Sequence, residues 1–485
     1  MRRLPLLIVI FFLISQPLEL RAADTPGISN TGDQQNSAIT EDLRGSVIEK
    51  AKESKAQIKT EEKPAGEEAF SLRQGGWFSS TYRQYQNIDN QKSLTDFLKW
   101  RWTQEAYWWL YFSPNNVVDA YLQVGDSYTD RGTGPTYTGV GSDHEGPFIS
   151  MAYSKINIEP QTHVPMALTV GRQYLFLGRG LAYEAIDDGL LTEYTQYPFY
   201  TKQFVAVTTP HQDNIDYSVP GFDKNGERLF AGGEISYVGI KKTSVYAYAL
   251  LQKDNSTPEP QSRTQDFHYD SSYLGTGFTT TFWEPLELWS EVVSEKGHSE
   301  TDTLRTRPQK TKIGAWAAMT GAKYRFDLPT KPILETLFAY GSGDEDRTSV
   351  TNTNGGDLDG HDKNFLYFGY YQAGYALQPR LSNMKIWSLN ASCQPLAQYP
   401  LFKKMALGVK YYFYWKDEPR GGTSDLESTG SDSNIGQEVD LYVQWKISDH
   451  WSLSTRYGNF FPDETFPDSK RDNTQYFYTR LTLSF

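Results

Sequence analysis

The chain closes on Tyr476-Phe477-Tyr478-Thr479-Arg480-Leu481-Thr482-Leu483-Ser484-Phe485. Counting back from Phe485, one face carries Leu483, Leu481, Thr479 and Phe477, and the other carries Ser484, Thr482, Arg480 and Tyr478. A period of two is the signature of a strand with one apolar and one polar face. In water, a bare apolar edge at a chain terminus frays and invites aggregation. In a membrane the same strand is needed, because a sheet spans lipid only when its last strand hydrogen-bonds to its first. The ending predicts a closed transmembrane barrel.

The other end of the chain agrees. Arg2 and Arg3 precede an apolar run from Leu4 to Ile14, and the small residues Ala22 and Ala23 lead into polar sequence. The run is too short to span a bilayer and is flanked as a secretory leader is, so residues 1–23 read as a signal peptide. The terminal Phe485 resembles the C-terminal aromatic signal of bacterial outer-membrane proteins, which places the barrel there. Mean hydropathy is −0.59, which leaves no material for a membrane helix after the leader, while aromatic residues reach 15% of the chain, as in barrels with interfacial girdles. The single cysteine, Cys393, rules out a disulfide framework. The net charge of −12 argues against a nucleic-acid partner.

Residues 24–69 contain no aromatic residue and are rich in Glu, Lys and Ala, so residues 24–76 read as a polar periplasmic extension, disordered or loosely helical. From Trp77 to Phe485 short alternating runs are split by Gly, Asn, Asp and Pro clusters. At roughly 22 residues per strand and connection, this all-β region holds about 18 antiparallel strands, with 16 or 20 also compatible. Trp100, Trp102, Trp108, Leu110 and Phe112 oppose Lys99, Arg101, Thr103, Glu105 and Tyr107. Leu407, Val409, Tyr411 and Phe413 oppose Gly408, Lys410, Tyr412 and Tyr414. Ile435, Val439, Leu441, Val443 and Trp445 oppose Glu438, Asp440, Tyr442 and Gln444. In a spanning barrel the apolar faces meet hydrocarbon and the charged faces line water. The acidic stretch 341–364 and the Gly/Ser-rich stretch 421–433 read as solvated extracellular loops, and Ser448-Asp449-His450 as a periplasmic turn.

Seven histidines are scattered with no metal-ligand spacing, and no nucleophile elbow, phosphate loop or dinucleotide glycine pattern stands in a suitable context. The expectation is a non-enzyme without cofactor or metal. What the polar faces offer is a set of cations, Lys99, Arg101, Arg380, Lys410 and Arg456, with Glu105, Glu438 and Asp440 set against them. Rings of Arg and Lys favour anions in pores, and the guanidinium fork matches a carboxylate. The alternative is paired ladders that brace the wall.

Several stretches resemble the alginate-export outer-membrane family. They are Val170-Gly171-Arg172-Gln173 with Asp187-Asp188-Gly189-Leu190; Ala339-Tyr340-Gly341-Ser342-Gly343-Asp344 with Phe365-Leu366-Tyr367 and Gly374; Leu381-Ser382-Asn383; Asn434 through Leu441; and Arg456 through Pro462. The resemblance covers roughly residues 95 to 485. It implies an 18-stranded barrel that passes an anionic polyuronate through an arginine-rich constriction gated by loops; an exporter of this kind is expected to depend on a periplasmic export partner, as a porin is not. On that pattern Arg172, Arg380 and Arg456 match basic positions. Arg172 shares a face with Leu168, Val170 and Tyr174, so alternation points it at lipid unless a bulge intervenes or it lies beyond the hydrocarbon. A general or anion-selective diffusion porin on the same barrel is the alternative function.

Overall fold

The computed structural model describes residues 70–485, except 89, 92–98, 116, 133–140, 159–164, 211, 216–225, 257–267, 302–308, 351–355, 357–359 and 426. The expected leader and nearly all of the expected extension lie outside the described residues. Nineteen strands follow in order: β1 (Ser71–Gln86), β2 (Trp100–Ser113), β3 (Val118–Arg131), β4 (Ser142–Asn157), β5 (Met166–Phe176), β6 (Glu184–Gln196) and β7 (Phe199–Val207). Then come β8 (Arg228–Ile240), β9 (Thr243–Asp254), β10 (Tyr269–Trp283), β11 (Leu286–Thr301), β12 (Gln309–Arg325) and β13 (Ile333–Gly341). The last are β14 (His361–Asp362), β15 (Met384–Cys393), β16 (Met405–Lys416), β17 (Asn434–Lys446), β18 (Trp451–Pro462) and β19 (Thr474–Ser484).

Every strand but β14 pairs antiparallel with its neighbours in sequence, and β19 pairs with β1, so eighteen strands close into one barrel. The two-residue β14 instead runs parallel to Lys312–Ile313 of β12. Closure leaves no strand edge facing lipid, where an unpaired amide or carbonyl would cost several kcal/mol.

The wall alternates as the sequence predicts, with the sense of a membrane barrel. On β2, Trp102, Trp108 and Phe112 point outward and are exposed, while Arg101, Thr103, Tyr107 and Trp109 are buried inside. On β16, Leu407 and Val409 point out, and Tyr412 and Tyr414 point in. On β17, Leu441 points out, and Glu438 and Asp440 are buried. Many aromatic residues form an interior layer as well as any girdle: Tyr246, Tyr248, Tyr269 and Tyr273 are all buried on the lumen face. Tyrosine suits that position because its ring packs while its hydroxyl finds an acceptor.

Two expectations about the wall need correction. Barrel pairing begins at Ser71, ahead of Trp77, because Gly75 and Gly76 carry no side chains to reveal the alternation. Ile435 lies inside, only 1% exposed, although alternation places it with Leu441. A bulge at this point, with Gly436 at φ +143°, shifts the register between Tyr414 and Trp415 and reverses the face.

Connections differ between the two ends. At one end they are tight, as at 197–198, 241–242 and 284–285; at the other they include 208–227, 342–383 and 417–433. Short turns mark the periplasmic end and long loops the extracellular one. Among the described residues, two connections from the long-loop end turn into the lumen. These are 177–183, where Leu177, Leu181, Ala182 and Tyr183 are fully buried, and 342–383, where Phe365, Leu381, Ser382 and Asn383 are fully buried. The described residues of the loop expected to be solvated at 341–364 are in large part buried instead: Asp362 is buried and paired with Arg347.

Closure is tight where the ends of the chain meet. The Gly76 amide donates to the Phe485 carbonyl and the Phe485 amide to the Gly76 carbonyl, both at 2.9 Å. A Cβ on Gly76 would stand 2.4 Å from the Tyr107 carbonyl and 2.7 Å from the Phe485 ring. Gly76→Val should block closure and lower heat-modifiable, membrane-inserted protein several-fold on cold and boiled gel samples. Wild-type levels would show that this seam does not govern assembly.

Candidate functional site in the lumen

One register row around the barrel gathers cations. Arg131 of β3 lies opposite Arg101 of β2, which lies opposite Arg83 of β1. Arg83 lies opposite Tyr478 of β19, Tyr478 opposite Arg456 of β18, and Arg456 opposite Tyr442 of β17. Arg480 adds a further cation, opposite Thr81 and Ser454. Directly opposed like charges destabilise a sheet, and a unit pair ~4 Å apart repels by about 1 kcal/mol in water and more in a less polarisable lumen. Arg131 carries its own counter-charge, Asp143 at 3.6 Å, so the row is a cluster of cations on one arc of the lumen face and not a bare ring.

Aromatic rings separate these cations. The Tyr478 ring lies 5.3 Å from the Arg83 guanidinium and 5.0 Å from that of Arg456. The Tyr375 ring, on the inward segment 342–383, lies 5.4 Å from Arg456 and 5.6 Å from the Lys410 ammonium, which is 5.8 Å from the Tyr442 ring. Each contact falls within cation–π range. The order is Arg83, Tyr478, Arg456, Tyr375, Lys410, Tyr442. Arg456 and Lys410 are partly exposed, whereas Arg83 and Arg101 are buried.

The acidic residues take a different part. Glu438 is fully buried and accepts the amides of Tyr375 (2.6 Å), Ala376 (2.7 Å) and Leu377 (3.0 Å), with the Tyr414 hydroxyl at 3.2 Å. Hydrogen bonds to a charged acceptor contribute about 1.5–3 kcal/mol each. Glu295 accepts the Leu366 amide (2.9 Å) and the hydroxyls of Tyr269 (2.6 Å) and Tyr273 (3.0 Å). Glu291 accepts the Arg179 amide (2.7 Å) and the hydroxyls of Tyr246 and Tyr248 (2.6 and 2.7 Å). Glu234 accepts the Gly178 amide (2.8 Å) and pairs with Lys202 (3.0 Å).

The sequence-predicted residues divide accordingly. Arg101, Arg456 and Lys410 share the lumen face, and Asp440 is buried opposite Lys410. Lys99 is buried just before β2, its carbonyl accepting the Tyr85 amide at 2.9 Å. Glu438 faces inward but is occupied by loop amides, so it does not line a free passage. Arg380 is on no strand; it lies within 342–383, buried, 5.3 Å from the Tyr367 ring and donating to the Tyr367 carbonyl at 3.3 Å. Arg172 is on the outer wall, in a bidentate pair with Asp188 (both contacts 2.9 Å) and donating to the Ile149 carbonyl. Its neighbours there, Val170, Leu190 and Val207, are exposed, so plain alternation holds and its matching of a basic family position does not bring it into the lumen.

Sequence reasoning passed over Arg83, Arg131, Arg480, Glu234, Glu291 and Glu295. Arg480 stood on the polar face of the terminal strand. The glutamates were marked only by sharing strand faces with other polar residues.

A family model described as alginate export matches residues 142–479. The chain belongs to the alginate export family. Among solved structures, this family member is similar to OccK8 (OprE) of Pseudomonas aeruginosa, with a TM-score of 0.52 and 10% identity over 86% of this chain and 99% of that one. It is similar also to OccK5 (OpdH) of Pseudomonas aeruginosa, at 0.51 and 12% over 86% and 98%. The third is Pseudomonas aeruginosa OpdK with vanillate, at 0.51 and 8% over 86% and 98%. At such identities the likeness concerns the fold alone. No curated sequence matches the chain. Family and barrel together make the protein an outer-membrane channel, not an enzyme.

The two faces of the wall give a paired test. Arg172→Gln should leave the reversal potential of the channel in a salt gradient unchanged, whereas Arg456→Gln should move it toward cations. Equal shifts in both variants would contradict the assignment of Arg172 to the outside.

Proposed function

We propose that the channel exports an anionic polysaccharide of the polyuronate class, delivered at the short-turn end by a periplasmic partner. The observation that carries this reading is the alternation of cations and rings from Arg83 to Tyr442, with Arg456, Lys410 and Tyr442 at its accessible part. A polyuronate presents one carboxylate per sugar together with apolar sugar faces. Guanidinium and ammonium groups attract the first, and the partly exposed Tyr442 ring packs on the second. Because cations recur along the row, a moving carboxylate meets a second partner as it leaves the first, which suits passage better than retention.

A diffusion porin for small carboxylates is the competing reading. Inward-folded loops favour it, since they narrow the passage. Added polyuronate separates the two in planar bilayers. An exporter should show current block by oligouronates that strengthens with chain length, whereas a porin should be indifferent to length. Losing one unit charge removes about 1 kcal/mol, or roughly fivefold in affinity. The double variant Lys410→Gln/Arg456→Gln should therefore weaken the block by one order of magnitude or more. Undiminished block in an assembled double variant would move the binding row elsewhere, and the absence of any block in the wild type would favour the porin.

A further inference from the structure

The two inward segments are joined to each other. Tyr183 and Phe368 form a parallel bridge, the Phe368 amide donates to the Ala182 carbonyl at 2.9 Å, and the Tyr370 amide donates to the Gly180 carbonyl at 3.1 Å. They are also hung on the wall. Glu234 of β8 and Glu291 of β11 hold 178–179, Glu295 of β11 holds Leu366, and Glu438 of β17 holds 375–377. All four acceptors are carboxylates on barrel strands, and all reach main-chain amides.

The approach is close enough to need glycine at both ends. Gly374 has φ +77°, and a Cβ there would stand 2.5 Å from the Tyr414 hydroxyl and 2.6 Å from the Glu438 carboxylate. Gly178 has φ +54°, and a Cβ there would stand 2.6 Å from the Glu291 carboxylate. An L side chain at either position would be strained by its backbone and would push the segment off its acceptor.

We infer that 177–183 and 365–383 form one fixed septum, with Glu438 and Glu295 as positioning residues that hold it against the arc of wall from β8 to β17. The arginine row occupies the complementary arc, from β18 through β19 and β1 to β3. The septum carries Tyr375 to Arg456 and Lys410, so its position sets the width of the passage and the distance at which a permeating ion meets those cations. The septum packs on β18 as well, where a Cβ on Gly458 would stand 2.9 Å from Tyr375. The partly exposed Arg456 and Lys410, and not the buried Arg83 and Arg101, are thus the cations that a permeating ion meets beside a septum that does not swing aside. The inference rests on the channel, not on the identity of the polymer.

Potassium chloride alone tests it, so a failure here leaves the export proposal standing. Glu438→Gln and Glu295→Gln keep side-chain volume, but an amide oxygen is a weaker acceptor and the new NH2 faces backbone donors. Assembled Glu438→Gln/Glu295→Gln protein should show single-channel conductance raised twofold or more and a reversal potential shifted from wild type, with Glu438→Asp closer to wild type than Glu438→Ala. Wild-type conductance and reversal potential in an assembled double variant would overturn the positioning role. A cysteine pair replacing the bridge partners, Tyr183→Cys/Phe368→Cys in a Cys393→Ser background, tests fixity in a single protein and decides the matter if the glutamine variants do not assemble. Conductance in potassium chloride should be the same with the pair oxidised or reduced. Current that appears only on reduction would show that the two halves part during passage and would overturn the septum.

Discussion

The structure depends on one constraint: in lipid, every backbone amide and carbonyl must find its partner within the protein. The pairing of β19 with β1 meets it for the wall. Once the sheet is closed, the outer face must be largely apolar along its span, and unpaired charged side chains of the wall are driven to the lumen or the rims. The ion pair of Arg172 with Asp188 shows what survives outside, a bidentate contact that leaves neither charge alone.

The same constraint reaches the loops. A segment that enters the lumen takes its main-chain groups away from bulk water and needs acceptors there. Glu234, Glu291, Glu295 and Glu438 supply them, and tyrosine hydroxyls take up remaining lone pairs on Glu291, Glu295 and Glu438. In consequence much of the negative charge of the lumen is engaged in holding the septum. On the opposite arc Arg83, Arg101, Arg131 and Arg456 follow one register row, with Arg83 and Arg101 buried, Arg131 paired with Asp143 and Arg456 partly exposed.

The wall was legible in the sequence because a period of two survives even when its meaning inverts: Trp102 against Arg101 and Leu441 against Asp440 lie on the faces that alternation assigns. It failed where a residue leaves no mark on the pattern. Gly75 and Gly76 concealed the start of β1, and the bulge at Gly436 turned Ile435 inward. The lumen was legible only in part. Arg456 and Lys410 could be placed from their own strands, but the role of Glu438 depends on amides 61–63 residues away and that of Glu291 on one 112 residues away. No local pattern announces such pairs. Arg380 shows the reverse error, since a motif match says nothing about whether a residue lies on the wall or on the segment folded within it.

The claim on which the account turns is that the passage runs along a cationic wall. The most direct measurement is the reversal potential of the purified wild-type channel in a planar bilayer under a tenfold potassium chloride gradient. The arginine row predicts a potential on the chloride side of zero, and one that collapses as ionic strength rises and screening shortens the reach of the wall. A cation-selective potential that persists at high salt would contradict it.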